Sequence, residues 1–234
     1  MKVTTDACLF GAWCAREIQK SLVQLIKRDV PGPGVQKKLT LLDIGTGTGL
    51  LSLMIAQKNK ILIDAVEIEK EAAEQAEKNA AASPWVNQLE VFHQDIISFK
   101  NDQYDFIVSN PPFYENELAS PQQKKNIAHH SHLLTTAQLT EQIKYKLAPN
   151  GIFFLLLPFK RILEIEKLLG SFELYSLKKL TLRPSVNHQP TRIILMGNKQ
   201  IPLECESMEI SIRDENQQYT DVFTNLLKDY YLNL

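Results

Sequence analysis

The chain has 234 residues, is 44% hydrophobic and 23% charged, and carries a formal net charge of −1. That balance excludes a disordered chain and a protein coated in positive charge, but not a nucleic-acid binder, for which a local basic patch suffices. No apolar run approaches the roughly 20 residues of a membrane span.

No linker, repeat or signal-peptide pattern interrupts the sequence. A single cytoplasmic domain over 1–234 is expected, with 1–34 as a helical segment ahead of a core at 35–234 that ends in a helix. A monomer is the default. Cys8, Cys14 and Cys205 cannot all pair and fit no zinc spacing, so they are expected to be reduced core residues, and no metal is expected.

Apolar periodicity predicts a helix at 12–28, closed by Pro31-Gly32-Pro33-Gly34. Strand-like runs follow at 39–45, 61–67, 88–93, 104–109 and 151–157. Helical stretches lie between them, the clearest at 69–82, where Ala, Glu and Lys dominate. Such alternation implies an α/β fold, a doubly wound and mostly parallel sheet with helices on both faces. Residues 191–197 and 174–182 are joined through Pro184 to Pro190 and are expected to pair antiparallel at one edge, seven strands in all. In the tail, Tyr219, Val222, Phe223, Leu226, Leu227, Tyr230 and Tyr231 form one helical stripe, read as core packing.

LLDIGTGTGLLSL (41–53) runs strand, loop, helix. Gly45, Gly47 and Gly49 permit positive φ and let a ligand approach bare backbone. A dinucleotide fingerprint would need a third glycine where Leu50 stands, whereas G-x-G-x-G is what S-adenosylmethionine methyltransferases use. Glu67 ends the second strand, where a carboxylate can accept from both ribose hydroxyls. Asp95 follows the third strand, placed for an adenine amino group, with Ile96 against the ring. Each acid alone is equally a strand end or helix cap. Together they fall at successive carboxyl ends of one sheet, where ligands bind in open α/β folds.

The fourth strand stops at Asn110-Pro111-Pro112-Phe113. Asn-Pro is a common turn signal. At this strand end it also supplies two acceptors, the Asn110 side-chain oxygen and the Pro111 carbonyl, for the two N–H groups of a planar amine. Successive prolines hold that carbonyl in place, and Phe113 offers a stacking face.

DIGTGTG, Glu67, Asp95 and SNPPF together resemble the Class I, NPPY/F-type amino methyltransferases, Rossmann-like enzymes that methylate planar nitrogens. MKVTTDACLFGAW (1–13), AASPW (81–85) and the ending at 212–232 are similar to the tRNA1(Val) adenine-N6 methyltransferase family, so the resemblance covers essentially the whole chain. It implies N6-methylation of the adenosine next to the anticodon, with S-adenosylmethionine as cofactor and tRNA as partner. Cofactor contacts are implied at Gly45, Gly47, Gly49, Glu67 and Asp95, and an acceptor pocket at Asn110 to Phe113; Thr5, Asp43 and Ile96 are further candidates for the cofactor site. Thr5 and Asp6 would lie near the methionine end, although Asp6 is also a natural helix N-cap. The rival readings are an amino methyltransferase for ribosomal RNA guanine-N2 or protein glutamine-N5, and a cofactor-binding scaffold without catalysis.

Two departures stand out. Relatives carry an aromatic and basic stretch before the segment that here begins Met1-Lys2-Val3, and often an Arg where this chain reads NIAHHSH (126–132). RNA phosphates are expected to meet Lys124 and Lys125 in the long loop 114–134, beside His129, His130 and His132. A second candidate patch comprises Lys178, Lys179, Arg183 and Arg192, the last of which is equally suited to a structural ion pair.

Overall fold

The computed structural model describes residues 3–28, 38–101, 103–112 and 134–232. Its first helix, α1 (Thr5–Arg28), begins at Thr5 rather than at residue 12. Ala7, Cys8, Leu9 and Phe10 are all buried, so this end of the helix is apolar on every side and leaves no amphipathic stripe in the sequence. Alternation then runs β1 (Thr40–Ile44), α2 (Leu50–Ala56), β2 (Leu62–Glu67), α3 (Lys70–Ala81), β3 (Leu89–His93), β4 (Tyr104–Ser109), α4 (Thr136–Lys146), β5 (Leu147–Pro158) and α5 (Ile162–Ser171). The chain continues through β6 (Tyr175–Ser185), β7 (Arg192–Asn198), β8 (Glu206–Arg213) and α6 (Asp221–Leu227).

Among the described residues these strands form one eight-stranded sheet in the order β3-β2-β1-β4-β5-β7-β6-β8. The doubly wound, mostly parallel architecture is as the sequence predicts. β6 and β7 pair antiparallel because their short connection leaves no room for a crossover helix. β7 also pairs antiparallel with β5, so it lies inside the sheet with β6 and β8 beyond it. β8, parallel to β6, is the additional strand. Its alternating Met208, Ile210 and Ile212 pack on the core.

Strand alternation divides the interior into two layers. Leu41, Phe106, Val108, Phe154, Leu156, Ile194 and Met196 face α1, α2 and α6. Leu42, Ile44, Ile107, Phe153, Leu155, Ile193 and Leu195 face α4 and α5. Trp13 of α1 is fully buried and meets Phe154 edge-on, with ring centroids 6.0 Å apart. Cys8 and Cys14 are buried, and all three cysteines are free thiols.

In the tail, Phe223, Leu226 and Leu227 are buried, and Tyr219, Tyr230 and Tyr231 pack around them. Val222, expected on the same stripe, is 56% exposed. Adjacent helix positions are about 100° apart, so Val222 and Phe223 cannot both face the core.

Asp43 lies on the α1–α2 face of β1 and is fully buried. Its Oδ2 accepts from the Thr46 and Ser52 hydroxyls, each at 2.7 Å, and Oδ1 has no partner among the described residues. Burial pushes its pKa from 3.8 to about 6, the two hydroxyl bonds offsetting part of the effect. The folded state therefore retains this proton to about pH 6, whereas the unfolded chain releases it near 3.8.

Stability should accordingly fall by about 3 kcal/mol as pH rises from below 4 to above 6 on account of this group. Asp43→Asn keeps an acceptor for both hydroxyls and cannot ionise. Denaturant titrations from pH 4 to 7 should show the wild type losing that stability relative to the variant. Two glycines give a second check. A Cβ on Gly197 would lie 2.4 Å from the Tyr175 carbonyl oxygen and from Phe153 Cζ, whereas one on Gly170 meets open space. Gly197→Ala should destabilise by about 1–3 kcal/mol, and Gly170→Ala, inside α5, should stabilise by about 0.5–1 kcal/mol in the same assay.

Candidate active site

Strand register brings the site together. Ile44 pairs with Val66 on one side and Ser109 on the other, so Gly45, Glu67 and Asn110 occupy one row just past three adjacent strand ends. Ser109 Oγ donates to the Ile44 carbonyl (2.8 Å) and binds the ends of β1 and β4 to each other. Glu67 pairs with His93 at the end of β3, and Asp95 follows two residues later.

The glycine loop is held on every side. Gly45, Gly47 and Gly49 have φ of 71°, 61° and 85°, a region that other residues enter only with strain. The Gly45 and Thr46 amides donate to the Val66 carbonyl at 2.9 and 3.1 Å. The Gly47 amide donates to Glu67 Oε2 (2.7 Å), and the Glu69 amide donates to Oε1 (3.0 Å). From α3, Asn79 Nδ2 donates to the Thr48 carbonyl (2.8 Å), while Asp43 holds Thr46 from beneath.

The loop borders a cleft of about 690 Å³ whose walls include Gly45, Glu67, Asp95, Ile96, Asn110, Pro111 and Pro112; Gly47 and Gly49, expected as cofactor contacts, shape the loop but do not line that cleft. A cleft of this size accommodates a nucleoside-bearing cofactor together with a second planar group. A Cβ placed on Gly45 meets nothing within 4 Å, so the loop turns a bare backbone surface outward. Each Glu67 oxygen accepts one backbone N–H and retains capacity for another donor, such as a ribose hydroxyl. Asp95 Oδ1 accepts from the Ile97 amide (2.9 Å), as a cap does, and Oδ2 has no partner among the described residues. Ile96 is buried against the cleft. The donor set therefore fits an adenosyl group at the β1–β3 side, and its acids suit a cofactor that carries a positive sulfonium. Asn110 is exposed, and its amide has no hydrogen bond among the described residues.

Several expected residues are placed differently. Asp43 is not in the cleft wall; strand alternation turns it under the loop, which it supports through Thr46 and Ser52. Thr5 does not line the cleft, although Val3, Thr4, Asp6 and Ala7 do. Arg192 does line it, and its Nε donates to Asp6 Oδ2 (3.0 Å). The rest of the second basic patch is paired off: Lys178 with Glu17 and Glu206, Lys179 with Glu166, and Arg183 with Glu209. Phe113, Lys124, Lys125, His129, His130 and His132 lie outside the described residues. Sequence reasoning missed Asn79, Thr46, Ser52 and Ser109. Their signal was weak, since each is a small polar residue inside or beside an element of otherwise ordinary composition.

Residues 5–170 match the methyltransferase small domain family. The tRNA1(Val) (adenine(37)-N6)-methyltransferase of Parabacteroides distasonis is 30% identical over 237 aligned residues, covering 100% of this chain and 92% of that protein. The proteins of the same name from Flavobacterium johnsoniae and Yersinia enterocolitica are 32% and 34% identical, each covering 100% of this chain and, respectively, 94% and 87% of their own length. Among solved structures, a predicted O-methyltransferase from Agrobacterium tumefaciens superposes with a TM-score of 0.63 at 15% identity, covering 86% of this chain and 96% of that one. The magnesium protoporphyrin IX methyltransferase of Synechocystis, solved with bound S-adenosylmethionine, gives 0.52 at 19% identity, covering 81% and 79%. These two likenesses concern the fold. The chain belongs to the methyltransferase small domain family of S-adenosylmethionine-dependent enzymes, in its tRNA1(Val) (adenine(37)-N6)-methyltransferase group.

Proposed function

We propose that the protein methylates N6 of an adenosine in tRNA, the one beside the anticodon of a valine tRNA, in the cytoplasm. The observation that carries this reading is the placement of Asn110-Pro111-Pro112 in the same cleft wall as Gly45 and Glu67. The names of the full-length relatives supply the substrate.

Gly45, Gly47, Gly49, Glu67, Asp95 and Ile96 would hold the cofactor. When bound, S-adenosylmethionine supplies a methyl group activated by its sulfonium. The protein's task is to make a reluctant nitrogen face it. An exocyclic adenine amine delocalises its lone pair into the ring. The Asn110 side-chain oxygen and the Pro111 carbonyl each accept one of its N–H groups, which favours a more tetrahedral nitrogen with the lone pair free. Pro111 and Pro112 fix backbone torsions beforehand, so little entropy is lost when the base arrives. Stacking on Phe113 would complete the pocket. No strong base is required, because the extra proton becomes acidic once the new bond forms. An adenosine in an anticodon loop is single-stranded, and delivering it to the cleft requires little unstacking.

With methyl-labelled cofactor and separate pools of tRNA, ribosomal subunits, DNA and release factors, label should enter tRNA and digest to N6-methyladenosine. Label in ribosomal RNA or protein alone would sink the assignment. Asn110→Ala should lower turnover at least about 100-fold while cofactor Kd moves less than about threefold, as single-turnover kinetics and calorimetry would show. Gly45→Ala, by contrast, adds a strained Cβ on the cofactor side and should weaken cofactor binding itself.

A further inference from the structure

The charges in the cleft wall are unevenly matched to an RNA substrate. Among the described lining residues Asp6, Glu67, Glu69 and Asp95 are acids, and Arg192 is the one cation. A phosphate entering there meets repulsion from every charged group except Arg192.

Arg192 is also presented in a particular way. Its Nε is bound to Asp6 Oδ2 at 3.0 Å, yet the side chain remains 42% exposed, and neither Nη has a partner among the described residues. Asp6 is itself fixed, since its Oδ1 accepts from the Ala7 amide (3.1 Å). A guanidinium anchored through Nε leaves its two Nη groups side by side, the fork that grips two oxygens of one phosphate.

The fold decides on which side of the pocket this fork stands. Arg192 opens β7 opposite Pro158 at the end of β5, and β5 lies beside β4. Arg192 is therefore two strand spacings, about 10 Å, to the side of Asn110 away from Glu67, and two residues, about 7 Å, further along the direction of β5. That is the acceptor side, and one nucleotide spans the distance from base to phosphate.

Resting on the reading that the acceptor is a tRNA adenosine, we propose that Arg192 binds the phosphate flanking the target adenosine, with Asp6 as the positioning residue that aims its guanidinium. The rival anion is the α-carboxylate at the cofactor's methionine end, which the same fork would fit.

The experiment uses the full chain, an anticodon stem-loop RNA, and the same RNA carrying an uncharged methylphosphonate beside the target adenosine. Arg192→Gln should raise the RNA KM roughly 10-fold or more and reduce the slope of log KM against log salt by about 1, with cofactor Kd moving less than about threefold. The methylphosphonate should weaken wild-type binding by a similar factor and cost the variant nothing further. Asp6→Asn, which keeps an acceptor for Nε, should hold the RNA KM near the wild-type value, whereas Asp6→Ala should raise it. Weakened cofactor binding with an unchanged RNA salt slope would assign the fork to the carboxylate and overturn the proposal. Unchanged values throughout would reduce the pair to a structural tie and overturn it equally. If the wild type leaves every RNA unlabelled, the substrate reading itself fails, an outcome separable from the others because no variant is involved.

Discussion

The buried hydrogen bond from the Gly47 amide to Glu67 Oε2, at 2.7 Å, is the contact on which the site depends. It joins a loop at the end of β1 to the acid at the end of β2, and it does so with a carboxylate whose second oxygen is held by the Glu69 amide. An unconstrained glycine-rich loop would sample many conformations, at a cost of roughly 1–2 kcal/mol per residue to order. Here the protein's own groups restrain it, since Val66, Glu67, Asn79 and Asp43 each hold a different point of the loop. The acid proposed for the cofactor's ribose is thus also the acid that shapes the loop.

Electrostatics set the two proposed ligands against each other. A wall of four acids favours a sulfonium and opposes a polyanion. Along β6, Lys178, Lys179 and Arg183 are matched to Glu17, Glu206, Glu166 and Glu209, which leaves that strand balanced rather than basic. With a net charge of −1, attraction for RNA would come from local, well-placed contacts rather than from a general field.

Much of this was legible in the sequence, for identifiable reasons. Strands buried on both faces are long aliphatic runs, so β1, β2, β4 and β5 announced themselves, and with them the carboxyl edge on which Gly45, Glu67, Asp95 and Asn110 stand. What escaped was whatever depends on facing direction or long-range pairing. Asp43 stands two positions before Gly45, but the pleat turns it beneath the loop. The start of α1 is apolar on all sides and has no period to detect. Lys178, Lys179 and Arg183 look like a patch until partners far away in sequence neutralise them. Arg192 and Asp6 are 186 positions apart, and only the packing of α1 against the sheet shows that they meet.

Long-range strand pairing also bears on how a neutral amide can serve as the working group of the proposed chemistry. An amide oxygen offers no charge to compensate for misplacement, so its contribution rests on aim. Ser109, the residue immediately before Asn110, is buried and bonded to the Ile44 carbonyl, the residue immediately before Gly45. Methyl donor and acceptor would therefore be referred to one shared anchor, a single hydrogen bond between adjacent parallel strands deep in the core. That bond and the β1–β4 ladder beneath it fix the two strand ends from which the halves of the site project. The exposed amide thus follows directly on a buried, hydrogen-bonded strand end.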